Sequence, residues 1–241
     1  MSRSFGIEAA IKETEESLRR ELDLEPADLS PELARAEGTL RGNPIVIETR
    51  AYVGPQMRFV RFATITGEGL SIGNALCLSR PEVALPIFGA DLVALSADAA
   101  MIAVDLSPVL PPGAERDAQL ALLAEARAKH PAFPPAGELP SFCAAWFSPF
   151  ALFTRVGPSA SSEAFAAYSD FHRAFAGIAR RAQGEPPPPM KMSPDEVIAA
   201  QASYLADHRN DDKGLRMLGR LFGADWSARY ISSVLFPEDI R

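Results

Sequence analysis

The alternation of apolar and polar positions divides the chain into regions of different period. Near the N-terminus, Ile7, Ala10, Ile11, Leu18 and Leu22 recur at roughly helical spacing among charges, which predicts an amphipathic helix over residues 4–21. Glu15 and Arg19 stand one helical turn apart and are expected to pair on its wet face. A polar connection with Pro26 and Pro31 follows. The middle of the chain is β-prone. Ile45 to Tyr52, Arg58 to Ile65 and Leu70 to Leu78 read as strands, and Thr66 to Gly69 reads as a turn between the last two. Leu85 to Val93 and Ala100 to Leu106 continue the series across a short Ser/Asp turn. Sequential short strands without intervening helices predict an antiparallel meander, not βαβ units.

Beyond residue 110 the period becomes helical. Leu120, Leu123, Ala124 and Ala128 mark a helix over 114–129, followed by a proline-rich break at 131–140 and the segment Phe142 to Trp146. Phe150 to Arg155 is a candidate last strand. A long helix is expected from Ser161 toward Arg181, then an extended stretch at Pro186 to Pro189. Ser193-Pro194 opens another helix, with Asp195 and Glu196 suited to its first turn. Short helices are expected around Leu218–Phe222 and Trp226–Leu235. Antiparallel strands followed by helices predict a three-layer α/β/α sandwich with a central antiparallel sheet. One domain over residues 1–241 is expected; a division near 110 or 184 is the alternative, but the strands alone make too small a separate core.

Composition narrows the function classes. The chain has 47% hydrophobic residues and a net charge of −7, which argues against tracking a nucleic-acid backbone. No apolar run reaches the roughly 20 residues that cross a bilayer. The N-terminus lacks a secretory apolar region, so a cytoplasmic protein is expected. Cys77 and Cys143 sit among apolar neighbours and read as buried free thiols. His130, His172 and His208 are far apart and make no zinc motif. Neither a phosphate loop nor a dinucleotide fingerprint is present, so a redox activity would draw electrons from another protein.

The most informative segment is Arg80 to Val93, which places Asp91 in an apolar run shaped by Pro86 and Gly89. A carboxylate there costs several kcal/mol unless it is paired, hydrogen-bonded or protonated. Asp91 is either a proton donor or an aspartate that binds backbone N–H groups at a turn or strand end. Asn74 lies mid-strand, where asparagine is unfavourable unless its amide is used. If it shares a face with Leu76 and Leu78, it points to a buried or ligand-lined surface, and Asp91, placed two strands on, can reach the same space. The other reading is a surface Asn at a kinked edge. Asp211 and Asp212 either cap a helix or turn one carboxylate inward over a pocket. Arg155 ends an apolar strand, where its guanidinium could clamp a substrate carboxylate or close a surface ion pair.

These segments resemble the ferredoxin-dependent bilin reductases. The matching blocks are Arg80-Pro-Glu with Leu85 to Val93, Ile102 to Pro108, Phe147 to Arg155, Asn210 to Lys213 and Leu221 to Phe236, spread over about residues 45–236 in order and spacing. The overall motifs are nearest the phycocyanobilin-forming branch. The resemblance implies an α/β/α sandwich that binds biliverdin IXα between sheet and C-terminal helices and carries no cofactor of its own. Reduced ferredoxin would supply single electrons, and reduction would pass through bilin radicals. Asp91 falls on the family's central catalytic aspartate. Asp212 falls on the aspartate of the C-terminal helix, with Asp211 its close competitor. Arg155 and Lys213 correspond to basic residues near the propionates, and His208 joins the expected substrate contacts. Two positions depart from the phycocyanobilin-forming pattern. Asn74 stands where that branch has histidine, and resembles the phycoerythrobilin-forming branch instead. Phe62 stands where it has a glutamate used in vinyl reduction. A monomer is expected. An acidic chain docking an acidic ferredoxin requires a local basic patch, for which Arg58, Arg61, Arg80, Lys213 and Arg216 are candidates. A non-catalytic bilin carrier with the same fold is the alternative.

Overall fold

The computed structural model describes residues 5–130, 132–183, 192–210 and 212–240, the side chains of Phe142, Asp212 and Lys213 excepted. The order of elements is α1 (Ile7–Glu21), β1 (Glu25–Ala27), α2 (Pro31–Ala34), β2 (Arg35–Leu40), β3 (Asn43–Val53), β4 (Met57–Gly67), β5 (Leu70–Ser79), β6 (Ile87–Ala94) and β7 (Ala100–Ser107). Then come α3 (Ala114–Ala128), α4 (Ser141–Trp146), β8 (Leu152–Val156), α5 (Ser161–Ala182), α6 (Pro194–Arg209), α7 (Asp212–Phe222), α8 (Ala224–Tyr230) and a π-helical turn (Ile231–Leu235). The strands form one eight-stranded sheet in the order β1-β3-β4-β5-β6-β7-β8, with β2 also paired to β3. Every pairing is antiparallel. Helices cover both faces, giving the expected three-layer sandwich.

Period-two alternation assigns side chains to the two faces. On the first face, Val60, Phe62, Cys77, Phe88, Leu92, Ile102, Val104 and Leu106 pack under α1, α3 and α5. Burying a large aliphatic or aromatic side chain contributes about 1.5–3 kcal/mol, so this layer is a major source of stability. Close packing of α1 requires Gly73 on β5, because a Cβ there would lie 2.4 Å from the Ile11 side chain. On the second face the intervening residues meet α4, α6, α7, α8 and the π-helical turn, forming two further apolar clusters. Helix α6 starts as its sequence predicts. The Ser193 hydroxyl accepts from the Glu196 N–H, the Glu196 carboxylate accepts from the Ser193 N–H at 2.7 Å, and Pro194 opens the first turn.

The N-terminal connection differs from the expectation. Glu25–Ala27 and Arg35–Leu40 are strands at the β3 edge, with α2 between them. Their polar composition reflects exposure at a sheet edge, where backbone pairing does not need an apolar face. The Glu15–Arg19 pair is also corrected. Glu15 is buried, and Arg50 reaches its carboxylate through Nε and Nη2 at 2.7–2.8 Å while the Tyr52 hydroxyl donates to it as well. Arg19 instead lies over the Tyr52 ring, 5.0 Å from its centroid. Among the described residues, no helix is long and apolar enough to cross a membrane.

Candidate functional site

A cavity of about 470 Å³ lies between the second face of the sheet and the C-terminal helices. Its sheet wall is set by alternation. Arg61 and Ala63 on β4, Asn74 and Leu76 on β5, Gly89 and Asp91 on β6, Ala103 and Asp105 on β7, and Phe153 on β8 all face it. Tyr204 and His208 on α6, Met217 and Leu218 on α7, and Tyr230 and Phe236 close the other side. The wall is largely apolar with a few convergent polar groups, the composition of a small-molecule site.

Asn74 and Asp91 are direct partners on neighbouring strands, one strand nearer than the sequence suggested. The Asn74 Nδ2 donates to Asp91 Oδ1 at 3.2 Å, and its Oδ1 accepts from Nη2 of Arg61. Asn74 thus shares a face with Leu76 and Leu78 and is no edge residue. Asp91 lies within strand β6, neither at a turn nor at a strand end. Both side chains are half-buried, whereas Arg61 is fully buried. Burial lowers the Arg61 pKa from its ordinary value, partly offset by the nearby Tyr230 and Asp91.

Asp105, one of the residues missed by sequence reasoning as a site residue, lies deeper in the same wall. Its carboxylate accepts from the Ser148 N–H at 2.7 Å, the Ser148 hydroxyl at 2.6 Å and the Ser107 hydroxyl at 3.1 Å. Desolvation pushes its pKa up to about 6, against the opposing effect of these bonds. The available signal was an aspartate in the apolar run Ile102 to Leu106, the same kind of signal that drew attention to Asp91. Arg61 is equally legible as a charge between Val60 and Phe62, and its burial corrects its place among the candidates for a basic surface patch.

His208 lines the cavity and is stacked on Tyr204 with ring centroids 3.9 Å apart. A carbonyl oxygen can only accept, so Nδ1–H donates to the Tyr204 carbonyl at 2.8 Å, and in the neutral ring Nε2 is the acceptor nitrogen. Tyr204 can lie against β6 because residue 89 is glycine, where a Cβ would meet its hydroxyl at 2.8 Å. Burial raises the Tyr204 and Tyr230 pKa values, keeping both phenols neutral. The Tyr230 hydroxyl is held by Thr49 at 2.7 Å.

The other expected positions divide. Phe62 is fully buried against α1 and α5 on the opposite face, with its ring 6.1 Å from that of Tyr52, so its side chain does not line this cavity. One residue of offset in a strand reverses the face. The cavity-facing neighbours on β4 are Arg61 and Ala63, neither of them an acid. Arg155 is exposed, on the same face as Phe153 and opposite Met101, one step beyond the lining. Asp212 and Lys213 begin α7, whose Gly214, Met217 and Leu218 line the cavity; their side chains, and the whole of Asp211, lie outside the described residues. Arg61 is removed from the basic surface patch by its burial. Arg58 donates to the Gln201 side chain, and Arg80 to the Gly54 carbonyl.

Comparison with known proteins completes the picture. The family model of the ferredoxin-dependent bilin reductases matches residues 11–237. A phycoerythrobilin:ferredoxin oxidoreductase of Gloeobacter violaceus is 30% identical over 241 residues, covering 97% of this chain and 96% of its own. A phycocyanobilin:ferredoxin oxidoreductase of the same organism is 33% identical over 224 residues, covering 89% and 83%. The fold is similar to that of a tomato phytochromobilin synthase solved in complex with biliverdin, with a TM-score of 0.82, 23% identity, and coverage of 96% of this chain and 83% of that one. With a family match across nearly its whole length, the chain belongs to the ferredoxin-dependent bilin reductases, whose electron donor is reduced ferredoxin.

Proposed function

We propose that this protein, as a single reductase domain, converts biliverdin IXα to a phytobilin in the cavity between sheet and C-terminal helices. The observation that carries the reading is the Asn74–Asp91 pair set into an otherwise apolar wall, in a chain of bilin reductase family. Reduction of each double bond takes up two electrons and two protons. Ferredoxin supplies the electrons one at a time through bilin radicals, and Asp91 delivers a proton to the bound tetrapyrrole. The apolar wall keeps water from the radical. Arg155 and Lys213 offset the propionate charges, Asp212 supplies a later proton, and His208 contacts the bilin.

Phycocyanobilin and phycoerythrobilin are the two candidate products. Asn74 favours the second, because the resemblance associates asparagine there with reduction of the 15,16 methine bridge. The lack of an acid among the cavity-facing lining residues of β4 also disfavours vinyl reduction. The test is an anaerobic assay with biliverdin and reduced ferredoxin, with products identified by chromatography and mass spectrometry. A reduced bilin is expected, and a reduced nicotinamide cofactor alone should leave the substrate unchanged. A stable complex with unaltered biliverdin in the presence of reduced ferredoxin would instead identify a carrier.

A further inference from the structure

A buried cation without a carboxylate in direct contact is unusual, because leaving a charged donor unsatisfied costs more than leaving a neutral one so. Arg61 is such a residue. It is 0% exposed, and among the described residues neither its Nε nor its Nη1 has a hydrogen-bond partner. Its Nη2 donates to Asn74 Oδ1. A fully buried, poorly satisfied arginine in a cavity wall calls for a role beyond packing.

We propose that Arg61 is a positioning residue for Asp91, acting through the Asn74 amide. A guanidinium has donors only, so the amide oxygen must face Arg61. The amide nitrogen is thereby turned toward β6, where it donates to Asp91 Oδ1 at 3.2 Å. Reversing the amide would bring its NH₂ against the guanidinium and its oxygen against the carboxylate. The chain Arg61–Asn74–Asp91 therefore has one polarity, running from buried cation to carboxylate. It favours the ionised form of Asp91. Asn74 thus transmits both orientation and charge from β4 to β6.

Other titratable groups line the same cavity: Asp105 on β7, Tyr204 and His208 on α6, Tyr230 on α8, Cys143 on α4 and Glu138 just before it. Among the described lining residues, α7 presents Gly214, Met217 and Leu218, none of them titratable. Asp105 keeps its proton up to about pH 6 and opposes ionisation of Asp91 only above that, while the neutral phenols of Tyr204 and Tyr230 carry no charge to favour it. Among the described lining residues, Arg61 is the one arginine or lysine.

What Asp91 does with its proton rests on the proposed function, but the positioning can be tested without any bilin. The protein is labelled with ¹³C at aspartate side-chain carbons, and the Asp91 resonance is assigned by its loss in Asp91→Asn. Its titration is then followed in the wild type, Arg61→Met, Arg61→Lys and Asn74→Ala. Removing the guanidinium in Arg61→Met should raise the Asp91 midpoint by about one pH unit or more. Arg61→Lys, which keeps the charge, should recover part of the shift. Asn74→Ala cuts the chain with Arg61 intact and should also raise the midpoint. This variant decides the matter if the Arg61 variants do not fold. An unchanged Asp91 midpoint in folded Arg61→Met, or in Asn74→Ala, overturns the proposal and leaves Arg61 a packing residue. Because the titration needs neither ferredoxin nor biliverdin, absence of reductase activity would defeat the functional reading while leaving this result standing.

Discussion

The two faces of the sheet treat buried polar groups differently. Under α1 and α5, Glu15 is engaged by Arg50 and Tyr52, and the Thr14 hydroxyl meets the Tyr168 hydroxyl at 2.9 Å and Nδ1 of His172 at 3.1 Å. These groups tie a helix to the sheet or to another helix. Burial holds His172 down at about 4, so it remains neutral near pH 7. Gln56 is an exception, with a buried amide oxygen lacking a partner among the described residues. On the opposite face, Arg61, Asn74, Asp91 and Asp105 line space left open by the helices. The same strands build both arrangements, one residue out of phase. A closed network converts polar burial into specificity of packing, whereas a network bordering a cavity keeps its charges available to a ligand.

On this contrast, changes on the open face should affect turnover and changes on the closed face should affect stability. The largest effect is expected for Asp91→Asn, which keeps the side-chain shape and removes the acid. Turnover with reduced ferredoxin should fall about 10²–10⁴-fold while bilin binding persists, as parallel activity and binding titrations would show. Full activity in this variant would break the comparison at its centre. On the closed face, Phe175 is fully buried with its ring 5.7 Å from that of Phe88. Phe175→Ala should lose about 3–5 kcal/mol in denaturant unfolding, with turnover per folded molecule little changed.

Asp105 sharpens the contrast because it is buried, bonded and also in the cavity wall. Its folded pKa of about 6 lies above the ordinary 3.8, so the folded state retains a proton that the unfolded chain has released. The stability this provides is complete below the unfolded value and is lost as pH rises through about 6. The total change is on the order of 3 kcal/mol, from the difference of the two values. Asp105→Asn should flatten this dependence between pH 4 and 7, measured by denaturant unfolding at each pH. The same slope in wild type and variant would assign the pH dependence to another group. The smallest effect on rate is expected at the α7 start. Asp212→Asn should accumulate a partially reduced bilin, and Asp211→Asn should retain the normal product, as chromatography would reveal. Normal product from both would reduce the pair to helix capping.

The strand and helix periods were legible because side-chain burial imposes them locally. The meander, the helices flanking it and the helix start at Ser193-Pro194 could be read from apolar spacing and turn residues, and Asp91 could be singled out from its apolar surroundings. The edge strands at Glu25–Ala27 and Arg35–Leu40 could not be read this way, because their pairing is made by backbone groups along β3 that leave little side-chain pattern. The sequence by itself determined that polar groups would interrupt apolar strands. Only the tertiary structure decided which of them share a face. The register of β4, β5 and β6 joins Arg61 to Asn74 and Asn74 to Asp91, and the single-residue alternation sends Phe62 to the other side. Partner choice depends on long-range strand register and helix placement. That is why Glu15 found Arg50, thirty-five residues away, instead of its helical neighbour Arg19.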